Sequence, residues 1–385
     1  MPTTKLKNLI YRVSLPFFAP VPGKDPLLSM EGHHVHTSSC YIHLLQKHHV
    51  LGCASIVADR HHSALLLSGS DSPAHIAGKD TYFRVASITK MATSLAVLTL
   101  ADDCRIDLDQ PITDILHDLL SVEGVQQITV RHLLSHTSGI ADPPAMDEML
   151  LHHVPLTEII KNAVTAVPGT SFRYSNLGFG ILGCLLEAVT GLSVRDVLKQ
   201  QVFIPLGMNA SIDANDLDYE KIMPVTRIFP YKPGNDLRIT PLGSVPLDCP
   251  DPLFHYGHTA GSMYTDIDSL FSMLKCIREN GKPLLKQSTC LDMKREHARY
   301  GSISPTLSYG LGLLLIHDSR LSDSRIIGHQ GFAYGCADGA FIEEDTGRII
   351  ITLNGGCSEA RSGRLGLCNF DMMKWAFRKE LPQWE

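Results

Sequence analysis

Short apolar runs at the two ends of this chain bracket a middle where apolar residues recur at helical spacing. Residues 51–58 and 63–68 are apolar runs split by Asp59-Arg60, which predicts a β-hairpin. Residues 38–49 read as a helix. From Val85 to Ala101 apolar residues dominate, and Lys90 is the only charge among them. That run is long enough for a buried helix. Pro111 suits the first turn of a further segment. Residues 129–135 read as a short helix ending at His136-Thr137-Ser138-Gly139. After the Pro168-Gly169 turn, Asn176 is placed to cap a helix over 177–190 that Gly191 stops. Gly178, Gly180 and Gly183 give that helix a face for close packing. Residues 209–257 show no period and read as an irregular insertion, whereas 266–278 are amphipathic. The C-terminal part is β-like over 309–316, 325–332, 340–343 and 348–354, with Asp345-Thr346-Gly347 as a hairpin turn. Residues 370–379 read as a closing helix.

Strands at both ends with helices between them predict an α/β (α+β) fold. Its central antiparallel sheet is built from both chain ends and flanked by helices, with a mainly helical lobe inserted over roughly 100–300. Residues 1–35 read as an extension packed on the body, and 36–385 as one domain. Arg12 and Pro16 interrupt the early apolar stretch, so no clean signal peptide is expected. No stretch approaches the ~20 apolar residues of a membrane span.

Composition narrows the function classes. The 385 residues are 44% hydrophobic and 19% charged, as in an ordinary globular chain. A net charge of −6 without a dense Lys/Arg stripe argues against a nucleic-acid partner. Ten cysteines form no C-x-x-C pair and read as reduced, buried thiols, which favours a cytoplasmic setting. The histidines at 33, 34 and 36, at 48–49 and at 61–62 match no zinc spacing. They read as solvated side chains, and neither a metal nor a cofactor is expected.

The chemistry begins at Ser87-Ile88-Thr89-Lys90. Residues three apart share a helix face. A lysine in apolar company pays desolvation, which favours its neutral, proton-accepting form. The pair therefore reads as nucleophile and base. Tyr174-Ser175-Asn176 follows in a loop, and His329-Gln330-Gly331 lies near the end of a predicted strand. The order S-x-x-K, Y-x-N, H-x-G resembles the serine β-lactamase and penicillin-binding-protein superfamily, specifically its class C branch. Flanking segments agree, among them Phe83-Arg84-Val85-Ala86, the stretch from Arg131 to Gly139, Tyr309-Gly310-Leu311-Gly312 and Thr352-Leu353-Asn354. The resemblance covers roughly residues 38–375 and implies a β-lactamase/transpeptidase-like fold.

The resemblance implies a serine hydrolase that forms an acyl-enzyme on Ser87, with Lys90 and Tyr174 sharing proton transfer. Asn176, His329, Gly331 and Phe332 then bind substrate or oxyanion, Phe332 through its backbone N–H. The expected partner is a small ester, amide or short peptide. A true β-lactamase or D,D-carboxypeptidase is an alternative, and an inactive binding homologue is another. His329 departs from the lysine of K-T-G. Histidine is mostly neutral near pH 7, so carboxylate-bearing β-lactams are expected to bind less well, although the imidazole retains a hydrogen bond to donate. No G-x-S-x-G elbow occurs, which removes the α/β-hydrolase reading.

Overall fold

The computed structural model describes residues 38–229 and 237–378, the segment 26–32 and part of 9–19. The N-terminal part supplies β1 (Leu27–Gly32), β2 (Cys53–Ala58) and β3 (Ser63–Ser68). Three short strands, β4 (Phe83–Arg84), β5 (Ala210–Ser211) and β6 (Tyr264–Thr265), make a small sheet in the order β4-β6-β5. The C-terminal part supplies β7 (Ala298–Arg299), β8 (Leu307–Tyr309), β9 (Leu314–Ile316), β10 (Ile326–Ala333), β11 (Cys336–Glu343) and β12 (Ile349–Asn354). The main sheet runs β1-β3-β2-β12-β11-β10-β9-β8-β7, so the two chain ends meet where β2 pairs antiparallel with β12.

The central strands read as unbroken apolar runs because both faces of the sheet are covered. In β12 every residue is buried. Ile349, Ile351 and Leu353 join one core, and Ile350 joins the other. In β2, Ala54, Ile56 and Ala58 face the first core, with Cys53 and Val57 in the second. Helices α1 (Ser38–Lys47) and α10 (Leu367–Phe377) contribute Tyr41, Leu45, Phe370 and Met373 to the second core. The opposite face carries the helical lobe: α2 (Thr89–Asp102), α3 (Val130–Leu134), α4 (Met146–Leu151), α5 (Leu156–Ile160), α6 (Asn176–Thr190), α7 (Val194–Leu198), α8 (Ile267–Arg278) and α9 (Gln287–Lys294).

Four expectations change. The stretch 1–35 reads as an extension, yet its residues 27–32 form the edge strand β1 against β3. Residues 309–316 read as one strand but fold as a hairpin. Gly312 turns at a φ of +78°, Gly310 N–H bonds Leu313 O at 2.8 Å, and the turn leans on Ser94 so closely that a Cβ on Gly312 would lie 1.9 Å from its Oγ. The cap of α6 is Ser175, whose Oγ accepts from Gly178 N at 2.9 Å, and Asn176 is the first helical residue. His48 is not solvated: it is buried against Asp371, with Nε2 2.8 Å from Oδ2. The histidines at 33, 34 and 36 lie outside the described residues. Among the described residues, no single helix is long and apolar enough to cross a membrane.

Candidate active site

Ser87 lies in a 3₁₀ turn over Ala86–Ile88 that leads directly into α2. Ala86 holds a φ of +44°, a sharp reversal that leaves Ser87 facing a cavity. The turn is fixed from three sides. Thr89 Oγ1 donates to Ala86 O at 2.6 Å, Val85 N donates to Met263 O at 3.0 Å, and β10 presses on Val85. Gly331 is the point of that pressure: a Cβ there would sit 2.2 Å from Val85 O. Its role in the motif is therefore to let the strand reach the serine turn.

One helical turn on, Lys90 is fully buried. Its Nζ lies 3.2 Å from Ser87 Oγ, 2.8 Å from Asn176 Oδ1 and 2.7 Å from Ala260 O. Burial pulls its pKa down to about 7, and only the charge of Asp142 opposes the shift. Two of the three neighbours are carbonyl oxygens, which can only accept. A neutral amine satisfies both with its two protons, leaving its lone pair toward Ser87.

Tyr174 lines the same cavity. Burial pushes its phenol well above the ordinary value, with the Ser87 hydroxyl pulling the other way. The phenol therefore stays protonated at neutral pH. Its ring packs on His136, centroids 4.3 Å apart, and Lys90 Nζ sits 4.8 Å from the Tyr174 centroid. His136 accepts from Ser175 N at 3.1 Å through Nδ1, which ties the Tyr-Ser-Asn loop to the end of α3.

His329 sits in mid-strand on β10, and its hydrogen bonds differ from expectation. Nδ1 lies 2.7 Å from Gln330 O, an acceptor, so Nδ1 carries the proton. Nε2, 2.9 Å from Tyr309 Oη, then accepts the tyrosine hydrogen. The imidazole thus has no N–H left for a substrate. Burial and nearby Lys90 hold its pKa down to about 3, so the ring is neutral. Phe332 lies three residues on. Glu344 N donates to Arg325 O at 3.0 Å, and the β10–β11 register is unbroken from 326 to 333. Alternation along an antiparallel ladder then turns the even-numbered N–H groups, Phe332 included, away from β11. On that side β9 pairs only with 326–328.

Pattern reading missed two features. Asp142 grips the start of α6 through Ser175 Oγ, Leu177 N and Asn176 Nδ2, each at 2.9 Å. The second is a ring of cations. The cavity, about 550 Å³, is lined by Arg173, Arg361 and Arg364 besides Phe172, Tyr300 and Phe332, and by no Asp or Glu among the described residues. Arg361 and Arg364 come from the hairpin β13 (Arg361–Ser362) and β14 (Leu365–Gly366). Gln330 staples that hairpin to β10, donating to Arg364 O at 2.8 Å and accepting from Gly366 N at 2.9 Å. Among the described residues no group of three or more His, Cys, Asp and Glu is arranged to hold a metal.

The family model described as Beta-lactamase matches residues 38–354. The chain belongs to the Beta-lactamase family. Within this family it is 27% identical over 365 residues to Esterase EstB of Burkholderia gladioli, covering 83% of this chain and 90% of that one. It is 31% identical over 191 residues to Penicillin-binding protein 4 of Amycolatopsis lactamdurans, and there it covers only 49% of the relative. Among solved structures, D-amino acid amidase from Ochrobactrum anthropi SV3 superposes with a TM-score of 0.67 at 23% identity, over 84% of this chain and 92% of that one. EstCE1, a hydrolase with promiscuous acyltransferase activity, superposes with a TM-score of 0.66 at 21% identity, over 84% and 94%. These likenesses bear out the β-lactamase/transpeptidase-like fold.

Proposed function

We propose that Ser87 is the nucleophile of an acyl-enzyme mechanism with Lys90 as its base. The protein is a serine hydrolase of ester or amide bonds. The observation that carries the residue assignment is the environment of Lys90: two carbonyl acceptors hold its protons, and its remaining face meets Ser87 Oγ at 3.2 Å.

In acylation Ser87 Oγ bonds to the substrate carbonyl carbon and its proton passes to Lys90. The N–H groups of Ser87 and Phe332 receive the oxyanion. The bond to the alkoxide or amine then breaks, and the leaving group takes a proton that Tyr174 relays from Lys90. Water repeats the sequence on the acyl-enzyme, with Lys90 accepting its proton, and frees Ser87. Tyr174 acts here as a protonated relay rather than a phenolate, because burial opposes its ionisation. The names of the esterase and amidase relatives support small esters and amides as substrates. A reducing, cytoplasmic setting fits ten cysteines without a disulfide.

A fluorophosphonate probe should label the natural protein once, at Ser87. Ser87→Ala should lose both labelling and turnover of a p-nitrophenyl ester, a D-alanyl amide and a chromogenic cephalosporin, while melting at the same temperature. Retained turnover in the folded variant removes Ser87 from the mechanism.

A further inference from the structure

Asp142 sits 34 residues before Asn176 in sequence, yet it holds three consecutive residues of the Y-x-N loop and the helix after it. Oδ1 accepts from Ser175 Oγ and Leu177 N, and Oδ2 accepts from Asn176 Nδ2. The loop that carries Asp142 is itself anchored: Ala141 N donates to Ala163 O at 2.8 Å, and Thr165 N donates to Gly139 O at 2.9 Å. At its other end His136 accepts from Ser175 N, and Arg173 N donates to His136 O at 2.8 Å. The segment from 136 to 142 is thus a template on which Tyr174, Ser175 and Asn176 are laid.

We propose that Asp142 is a positioning residue that fixes the orientation of the Asn176 amide and thereby aims the lone pair of Lys90 at Ser87. The reasoning is one of donors and acceptors. An ionised carboxylate only accepts, so the nitrogen of Asn176 must face Asp142 and the oxygen must face Lys90. That oxygen takes one proton of the neutral amine, and Ala260 O takes the other. The lone pair is left toward Ser87 Oγ. With the amide reversed, its NH₂ would donate to the Lys90 lone pair and block the base. Among the described residues, Asp142 also places the one full charge that acts on Lys90 from outside the cavity. His136 and His329 are held neutral by burial, and Tyr174 is held protonated. Ser87 is uncharged. The negative charge of Asp142 favours the ammonium form of Lys90. Asp142 is solvent-exposed, so that influence is screened and modest.

This inference rests on the assignment of Ser87 and Lys90, which the labelling experiment tests separately. Its own test is Asp142→Asn, alone and in an Asn176→Ala background, with kcat and KM followed across pH. The expected loss is about ten- to a hundredfold in kcat with KM nearly constant, the scale of a misaimed reacting group. Removing the charge also makes Lys90 easier to deprotonate, so the acid limb of kcat/KM moves to lower pH, by less than about one pH unit. In the Asn176→Ala background the Asp142→Asn loss should fall below about threefold, because the amide it orients is gone. A role confined to holding the fold would lower the melting temperature and cost about the same with and without the Asn176 amide. An equal loss in both backgrounds overturns the proposal, and so does an unchanged kcat in Asp142→Asn. Asp142→Ser, which removes the charge but keeps an acceptor for Leu177 N–H, gives the same comparison if Asp142→Asn does not fold.

Discussion

Lys90, itself fully buried, bonds to a serine, an amide and a backbone carbonyl, none of them charged. Its depressed pKa of about 7 follows from that desolvation and sets the pH response. Lys90 must be neutral to accept a proton, so kcat/KM of the natural protein should rise with pH through a midpoint near 7. A flat profile between about pH 5 and pH 9 would remove Lys90 from the role of base. Stability carries the same signature. Between the folded value of about 7 and the ordinary 10.5, the unfolded chain binds the proton and the folded one does not. Folding stability linked to this group therefore rises with pH across that window. Ser87 and Lys90 were legible as a pair because three-residue spacing on a helix is a local property. The state of His329 was only half legible. Neutrality follows from residue type, whereas the loss of its free N–H depends on Tyr309 and on the carbonyl of Gln330.

At the scale of elements, the glycines of α6 show how packing overrides propensity. Alanine is favoured over glycine inside a helix by about 1 kcal/mol. At Gly180, however, a Cβ would lie 1.5 Å from Tyr256 O, a backbone atom that cannot step aside. Gly180→Ala should therefore destabilise the protein by about 2 kcal/mol or more, read as a lower urea midpoint. A neutral or stabilising outcome would mean that α6 does not meet the 256–260 segment as described. The glycine face of this helix was visible in the sequence, since three glycines in six residues rarely serve a helix any other way. The 309–316 hairpin was not. Gly310-Leu311-Gly312-Leu313 looks like strand because every residue in it is small or apolar. The reversal is set by contacts from Gly312 N to Leu134 O and from Leu311 N to Met293 O, far away in the chain.

Across the whole molecule, net charge and local field point in opposite directions. The chain carries −6 overall, yet among the described residues the cavity beside Ser87 is lined by three arginines and no carboxylate. His329 cannot anchor an anion, but Arg361 and Arg364, on the hairpin stapled to the same strand, bring positive charge to the cavity. The expectation that carboxylate-bearing β-lactams bind less well rests on His329 alone, and the arginines of the rim act against it. An ester bearing a carboxylate distal to the scissile bond should be hydrolysed faster than its neutral isostere. One such contact is worth roughly 1–3 kcal/mol, or about ten- to a hundredfold in kcat/KM. The advantage should shrink as salt is raised, because the rim is open to solvent. Preference for the neutral ester at low ionic strength would show that shape, not charge, selects the substrate.

The sequence by itself determined what depends on neighbours along the chain. The helix start bearing Ser87 and Lys90, the glycine-faced helix after Asn176, the terminal hairpins and the order of the three motifs all rest on local spacing and turn chemistry. Tertiary structure alone decided what depends on distant residues meeting. It set the tautomer of His329, gave the cap of α6 to Ser175, brought Asp142 against Asn176 and gathered three arginines around one cavity. Periodicity reports which face of an element is buried. It carries no record of which hydrogen-bond partner or charge waits on the surface it is buried against.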